Sequence, residues 1–243
     1  MQPTFTLIIP AYNEAPVITP TLELLRDAFE KQARYEWAIV VVDNASTDDM
    51  SHLVRALNDP RITAMVLAEK GKGHAVRAGF RETTSQFVGF TDADLSVPPH
   101  EIIRALDEVC RGNVDVVIGS RFHPESVMPG REWWRIGSSQ LFNYLARLMI
   151  GVTVSDTQCP LKIMNDKGKA LMLATVDRTW FFDLEFLAYA KQSDLRIDEM
   201  PVTWNEHRYP DRKSKVSALR DGFRALNAFV DIRARLRAKS PQK

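Results

Sequence analysis

The sequence predicts an α/β fold: one domain built on a mostly parallel, doubly wound sheet with flanking helices. Three observations predict it. Short apolar runs alternate with segments of helical spacing up to about residue 120. The runs are continuous rather than alternating, as expected of strands buried on both faces. Each run stops at small or polar residues, and such sheets bind ligands beyond the carboxyl ends of their strands.

Phe5 to Ile9 reads as the first strand, stopped by Pro10, and Ile18, Leu22, Leu25 and Phe29 share one face of a helix over Pro16 to Gln32. Trp37 to Val42 is the second strand. It runs into Asp43-Asn-Ala-Ser-Thr-Asp48, where Ser46 is placed to cap the next helix with Asp49 three residues on. Ile62 to Leu67 is the third strand, followed by Gly71-Lys72-Gly73 and a short helix from His74. Phe87 to Thr91 is the fourth strand. Pro98 and Pro99 then open a helix in which Ile102, Ile103, Leu106 and Val109 share a face, with Gly112 closing it. Val114 to Ile118 is the fifth. Beyond it the pattern is less regular, with no internal repeat or linker. Residues 1–217 read as the catalytic unit and 218–243 as a basic C-terminal helix and tail.

The chain has 243 residues, 45% apolar and 26% charged, with a formal net charge of +1. That balance gives no case for a nucleic-acid polymer as partner. From Arg208 onward, however, eleven Lys/Arg stand against three Asp, which suits either an anionic surface or a solvated helix face. Cys110 and Cys159 are too few for a disulfide framework. No apolar run approaches the roughly 18 residues that span a bilayer. A cytoplasmic protein is expected, with peripheral contact at the cytoplasmic face of a membrane.

Four strand ends carry the candidate chemistry: Pro10-Ala-Tyr-Asn-Glu14, Asp43-Asn-Ala-Ser46, Asp92-Ala-Asp94 and Gly119-Ser-Arg121. Like charges as close as Asp92 and Asp94 repel, so a proton or a cation must offset them. An Asp-x-Asp at a strand end can hold a hard divalent cation and leave positions open for water and a diphosphate. Alone, two aspartates in a loop are commonplace. The Gly71-Lys72-Gly73 turn could offer N–H groups and an ammonium to phosphates, but it lacks the P-loop spacing and GxGxxG is absent.

Together the segments resemble the inverting GT-A glycosyltransferases that use nucleotide sugars. Ile8-Ile-Pro-Ala-Tyr-Asn-Glu14, Val41-Val-Asp-Asn-Ala-Ser46, Gly71-Lys-Gly-His-Ala-Val-Arg-Ala-Gly79 and Asp92-Ala-Asp94 follow that family's order. Gly119-Ser-Arg121, Asp156-Thr-Gln-Cys159, Trp180-Phe-Phe-Asp-Leu-Glu185 and Thr203-Trp-Asn-Glu206 are similar to the branch that glycosylates polyprenyl phosphates, dolichyl-phosphate glucosyltransferases first and mannose synthases next. The resemblance covers about residues 5 to 217. It implies that Pro10, Tyr12 and Glu14 border the nucleotide and that Asp43 accepts from its base. It places Asp92 by the ribose and metal, and makes Asp94 a ligand of Mg²⁺ or Mn²⁺, with Asp92 and Asp94 as the metal pair. Asn44 replaces a second aspartate of many relatives, and Ser96 stands where mannose synthases can have a glutamine ligand.

On the acceptor side, Arg121, Arg135 and Ser139 match acceptor-phosphate positions by spacing, and arginine suits bidentate contact with phosphate. Asp156 matches a residue proposed as base in relatives; positioning or electrostatic help is favoured here, with a loop cap as the alternative. Lys72, Arg208, Lys213 and Lys215 add cations, the last three in a segment that could close over the diphosphate as a lid or remain a solvated loop. Trp180, Asp183, Glu185 and Glu206 either line the sugar pocket or serve the core. Trp133, Trp134, Ile136, Leu141, Phe142, Leu145, Leu148 and Met149 form an amphipathic segment that can lie in a membrane interface, pack on the sheet or form a homodimer contact. A membrane-protein partner is a further expectation. UDP-glucose is the favoured donor. A GDP-mannose or UDP-N-acetylhexosamine donor, a saccharide acceptor, or nucleotide-sugar binding without turnover stay as alternatives.

Overall fold

The computed structural model describes residues 2–205 and 218–239. Seven strands form one sheet in the order β3-β2-β1-β4-β6-β5-β7. They are β1 (Thr4–Ala11), β2 (Glu36–Asn44), β3 (Ile62–Leu67), β4 (Phe87–Phe90), β5 (Val116–Ser120), β6 (Lys162–Met164) and β7 (Ile197–Pro201). Neighbours run parallel except β6, which is antiparallel to both β4 and β5. This three-residue strand was not expected from the sequence, and it separates the fourth strand from the fifth.

Helices α1 (Ala15–Gln32), α2 (Met50–Ala56) and α4 (Pro99–Cys110) cover one face. Helices α3 (Lys72–Arg81), α5 (Trp133–Ile150), α6 (Asp166–Leu173), α7 (Phe182–Gln192) and α8 (Ala218–Lys239) cover the other. Strand β1 shows why two layers are needed. Leu7 and Ile9 pack with Ile18, Leu22 and Leu25 of α1, whereas Ile8 packs with Val76 and Phe80 of α3 and with Phe182 of α7. Each strand residue alternates between two apolar walls, which is the physical reason for the unbroken apolar runs.

Pro10 does not stop β1. The Ile8 carbonyl accepts from Thr91 N, so residues 8 and 10 turn their peptide groups toward β4, whose pairing ends at Ile8–Phe90. The missing N–H of Pro10 therefore falls where no partner strand remains, and pairing with β2 continues to Ala11–Asp43. The expected Ser46 cap is not formed either: α2 starts at Met50, and Ser46 Oγ instead accepts from Asn13 N at 3.0 Å.

Helix α8 packs on α5 and α7 and buries Ala225, Ala228, Phe229 and Ile232. Helix α5 buries only Asn143 and Ala146, and it exposes Trp133, Trp134, Leu141, Tyr144 and Leu148, with Trp133 83% exposed. Among the described residues no helix is long and apolar enough to cross a membrane.

Candidate active site

Because β1, β2, β4 and β5 run parallel, their carboxyl ends meet at one edge of the sheet. On the β1–β2 side the loops are knitted together. Asn13 donates Nδ2 to Thr47 Oγ1 at 3.1 Å and accepts from Thr47 N at 2.8 Å, and Ala15 N donates to Asp48 Oδ2 at 2.9 Å. Buried Asp43 accepts from Ser46 N at 2.8 Å and from Ser51 Oγ. Glu14 is buried at the start of α1, and half-buried Tyr12 receives Lys70 Nζ at 2.6 Å on its hydroxyl.

The Gly71-Lys72-Gly73 turn does not cradle an anion with its glycine N–H groups. Gly71 N donates to Asn44 Oδ1 at 2.7 Å and Gly73 N to Thr179 O at 3.0 Å. A Cβ on Gly71 would lie 2.4 Å from Arg178 O, and one on Gly73 2.5 Å from Asp177 O. The glycines are there for close approach to residues 177–179. The first contact also gives Asn44 a role that an aspartate would fill equally well, as acceptor for a backbone donor. The side chain of Lys72 is the cation that reaches the site: its Nζ is 2.6 Å from Asp92 Oδ1 and 5.0 Å from the ring centroid of Trp180. Burial works against its charge, yet the carboxylates of Asp92 and Asp183 hold the ammonium above its ordinary range. Trp180 is 46% exposed and so is a wall of the cleft rather than core.

The Asp92–Asp94 loop is anchored from both sides. Thr21 Oγ1 of α1 donates to Ala93 O at 2.6 Å, and Ser96 donates N and Oγ to Asp94 Oδ1 at 3.1 and 3.0 Å. Leu95 adopts φ +46°, an unusual conformation for leucine. No cluster of three or more His, Cys, Asp or Glu exists among the described residues. Two carboxylates one residue apart are hard oxygen donors of the kind that suits a divalent cation.

Arg121 and Asp156 form a buried bidentate pair, Nε–Oδ2 2.7 Å and Nη2–Oδ1 2.8 Å, with side chains 8% and 0% exposed. Arg121 N adds a third donor to Asp156 Oδ2 at 3.0 Å. Burial alone would raise the Asp156 carboxyl, but the guanidinium holds it below the usual carboxylate range. Gln158 N adds a fourth donor at 3.1 Å, and a carboxylate spent on four donors and held so low is a poor proton acceptor, which favours positioning. Glu199 of β7, which the sequence did not single out, holds this loop by accepting from Ser155 N at 2.7 Å and Asp156 N at 3.2 Å.

Residues 201–205 join the acidic loop to the arginine. Thr203 N donates to Glu101 of α4, Asn205 N donates to Ser96 O at 2.8 Å, and Trp204 lies between. Its ring faces Arg121 at 4.8 Å and Arg131 at 5.9 Å. Arg131 Nη2 also donates to Ser139 Oγ at 3.0 Å. Arg131, missed from the sequence, thus brings Ser139 toward Arg121. Arg135 sits on the first turn of α5 with Nε 3.0 Å from Glu132 and its guanidinium over Trp134. Asp183 is buried beside Lys162, 3.1 Å away. Glu185 is not a pocket wall: it accepts from Val176 N, Asp177 N, Tyr189 Oη and Arg235 Nη1. Glu206, Arg208, Lys213 and Lys215 lie outside the described residues.

Comparison with known proteins follows this geometry. The glycosyl transferase family 2 profile matches residues 6–168. A dolichyl-phosphate beta-glucosyltransferase of Trichomonas vaginalis is 29% identical over 233 residues, 88% of this chain and 67% of that protein. An undecaprenyl-phosphate 4-deoxy-4-formamido-L-arabinose transferase of Pseudomonas fluorescens is 30% identical over 235 residues, 93% of this chain and 63% of that protein. The chain thus spans about two thirds of these relatives. Glucosyl-3-phosphoglycerate synthase from Mycobacterium tuberculosis, solved with Mn²⁺ and UDP-glucose, superposes with a TM-score of 0.69 at 18% identity, covering 95% of this chain and 79% of that one. That likeness establishes the GT-A architecture expected from the motifs. The chain belongs to glycosyl transferase family 2, and it is a glycosyltransferase.

Proposed function

We propose that this protein transfers a hexose from a nucleotide sugar to a polyprenyl phosphate with inversion at the anomeric carbon, with UDP-glucose as donor. The observation that carries the reading is the link between the two halves of the cleft. Asp94 is bonded to Ser96, Ser96 to Asn205, and the adjoining Trp204 faces Arg121 and Arg131. This run of contacts supports a single site in which acids serve a metal-bound diphosphate and guanidiniums serve a second anion. The relatives named above act on dolichyl and undecaprenyl phosphates, which supports the acceptor, and the UDP-glucose complex of the structural neighbour supports the donor.

Tyr12, Glu14 and Asp43 would border the base and ribose, with Lys72, Asp92 and Trp180 at the diphosphate and sugar. Asp92 and Asp94 would hold Mg²⁺ or Mn²⁺, which supplies charge neutralisation of the leaving diphosphate. Arg121, Arg131 and Ser139 would orient the acceptor phosphate, with Arg135 at the outer end. One phosphate oxygen forms the bond to the anomeric carbon while the bond from that carbon to the donor phosphate breaks, its electron pair leaving on the nucleotide diphosphate. The attacking oxygen is already ionised, so no proton has to move to a base, in keeping with the buried, paired state of Asp156.

The test is a panel of UDP- and GDP-sugars with a short polyprenyl phosphate, read by product mass. Transfer from UDP-glucose to the phosphate is expected; transfer only to saccharides, or nucleotide binding without turnover, would overturn the reading. Asp94→Ala should abolish turnover with Mg²⁺ or Mn²⁺ present, and full activity in it would remove the metal assignment. The exposed apolar residues of α5 support direct contact with a membrane surface. Flotation with anionic liposomes should carry wild-type protein upward and leave Trp133→Ala/Leu148→Ala behind; equal flotation of the two would reassign that face.

A further inference from the structure

Lys162 is the least expected charge in the molecule. It belongs to β6, the short antiparallel strand between β4 and β5, and its side chain is 0% exposed. Lysine is almost never fully buried unless paired. Here Nζ lies 2.7 Å from Cys159 O, 3.3 Å from Thr157 O and 3.1 Å from Asp183 Oδ1, and it sits over the Phe90 ring at 5.5 Å. The Asp183 contact is an ion pair whose direction falls outside hydrogen-bond geometry. Gly89 of β4 gives way to this strand, since a Cβ there would meet Lys162 O at 2.8 Å.

What surrounds this ammonium divides into two groups. Thr157 and Cys159 continue the loop that begins at Asp156, the residue clamping Arg121. Asp183 follows Phe182 at the start of α7, where a Cβ on Gly73 would meet Phe182 Cβ at 2.6 Å, so it is held against the turn that carries Lys72, the cation paired with Asp92. These groups form a series of ion pairs, Lys72 with Asp92, Lys162 with Asp183 and Arg121 with Asp156. Lys162 is the single member that touches both the donor-side acid and the acceptor-side loop.

We propose that Lys162 is a positioning residue that sets the spacing between the diphosphate site and the acceptor-phosphate site, by holding Asp183 and the 156–159 loop on one buried ammonium. It touches neither substrate. The inference rests on the transfer reaction proposed above. It goes beyond that reading by assigning a function to a residue no substrate reaches. A displacement of about 1 Å at a reacting centre can cost about 10²-fold in rate, so the loss of this tie is felt in catalysis before nucleotide binding.

The experiment compares Asp183→Asn with Lys162→Met/Asp183→Asn, since Lys162→Met alone leaves a buried carboxylate unpaired and loses stability for that reason. Thermal denaturation should place the double variant close to Asp183→Asn. Titration with UDP should give both the same affinity. With a short polyprenyl phosphate, Asp183→Asn should show the smaller rise in acceptor KM, because Lys162 still holds the Thr157 and Cys159 carbonyls. The double variant should show a raised acceptor KM and kcat lower by about 10²-fold. Equal acceptor KM and kcat in the two variants would overturn the proposal and leave Lys162 as a charge balance for Asp183. Wild-type protein that binds UDP yet transfers nothing to a polyprenyl phosphate would overturn the proposed function itself.

Discussion

Two cation–carboxylate pairs at the strand ends, Lys72–Asp92 and Arg121–Asp156, are built differently. Lys72 meets Asp92 through one contact at 2.6 Å, with side chains 10% and 28% exposed. Arg121 meets Asp156 through a fork of contacts in the interior. A single ammonium contact to a carboxylate that keeps partial access to water can be exchanged for a ligand more readily than a buried fork. A bidentate buried pair cannot be opened without leaving a charge unsolvated. The Lys72–Asp92 pair is therefore the more replaceable of the two, and the Arg121–Asp156 pair the more permanent.

The contrast is broken most severely at the buried pair. Asp156→Ala strands Arg121 and should cost about 3–5 kcal/mol of stability, read as a lowered denaturation midpoint. An unchanged midpoint would mean that the pair is not a structural clamp. Lys72→Met should cost less stability than Asp156→Ala, because Asp92 stays partly exposed, while lowering transfer by on the order of 10²-fold through the charge lost from the proposed diphosphate site. A large stability loss in that variant would erase the distinction between the pairs. The smallest effect is in pH. Asp156 has a depressed folded value, so its contribution is complete above the unfolded carboxylate value of about 3.9 and is lost only as pH falls through the lower folded value. From roughly pH 5 to 8 the rate should show no limb belonging to this residue. A limb near neutrality that shifts in Asp156→Asn would make it a base after all.

What was legible in the sequence divides along the same line. The edge carrying Asp43 and Asp92 announced itself because β1, β2 and β4 are apolar runs that each lead into acids or small polar residues. The acceptor side is held by parts with no local signature. A three-residue strand containing lysine does not read as buried until Asp183, far along the chain, is known to meet it. Asp183 and Glu185 looked equivalent, yet residues two apart on a helix point to different faces. One turns to Lys162 and the other to α8. Gly71 and Gly73 suggested phosphate because glycine before a helix often means that; their reason is the carbonyls of 177 and 178. Arg131 precedes α5 in an irregular stretch, where no periodicity distinguishes it from Arg135, and only the Trp204 ring reveals which is nearer Arg121.

Glu185 has a consequence beyond its own helix. One of its oxygens receives the N–H groups of Val176 and Asp177, Arg77 Nη1 grips the Asp177 carbonyl of that turn at 2.6 Å, and its other oxygen is met by Arg235 near the end of α8. Trimming the chain ahead of Arg235 would remove a guanidinium that meets this fully buried carboxylate. The bend that aims Trp180 would then slacken, and the tail of the protein would be felt at the mouth of its cleft.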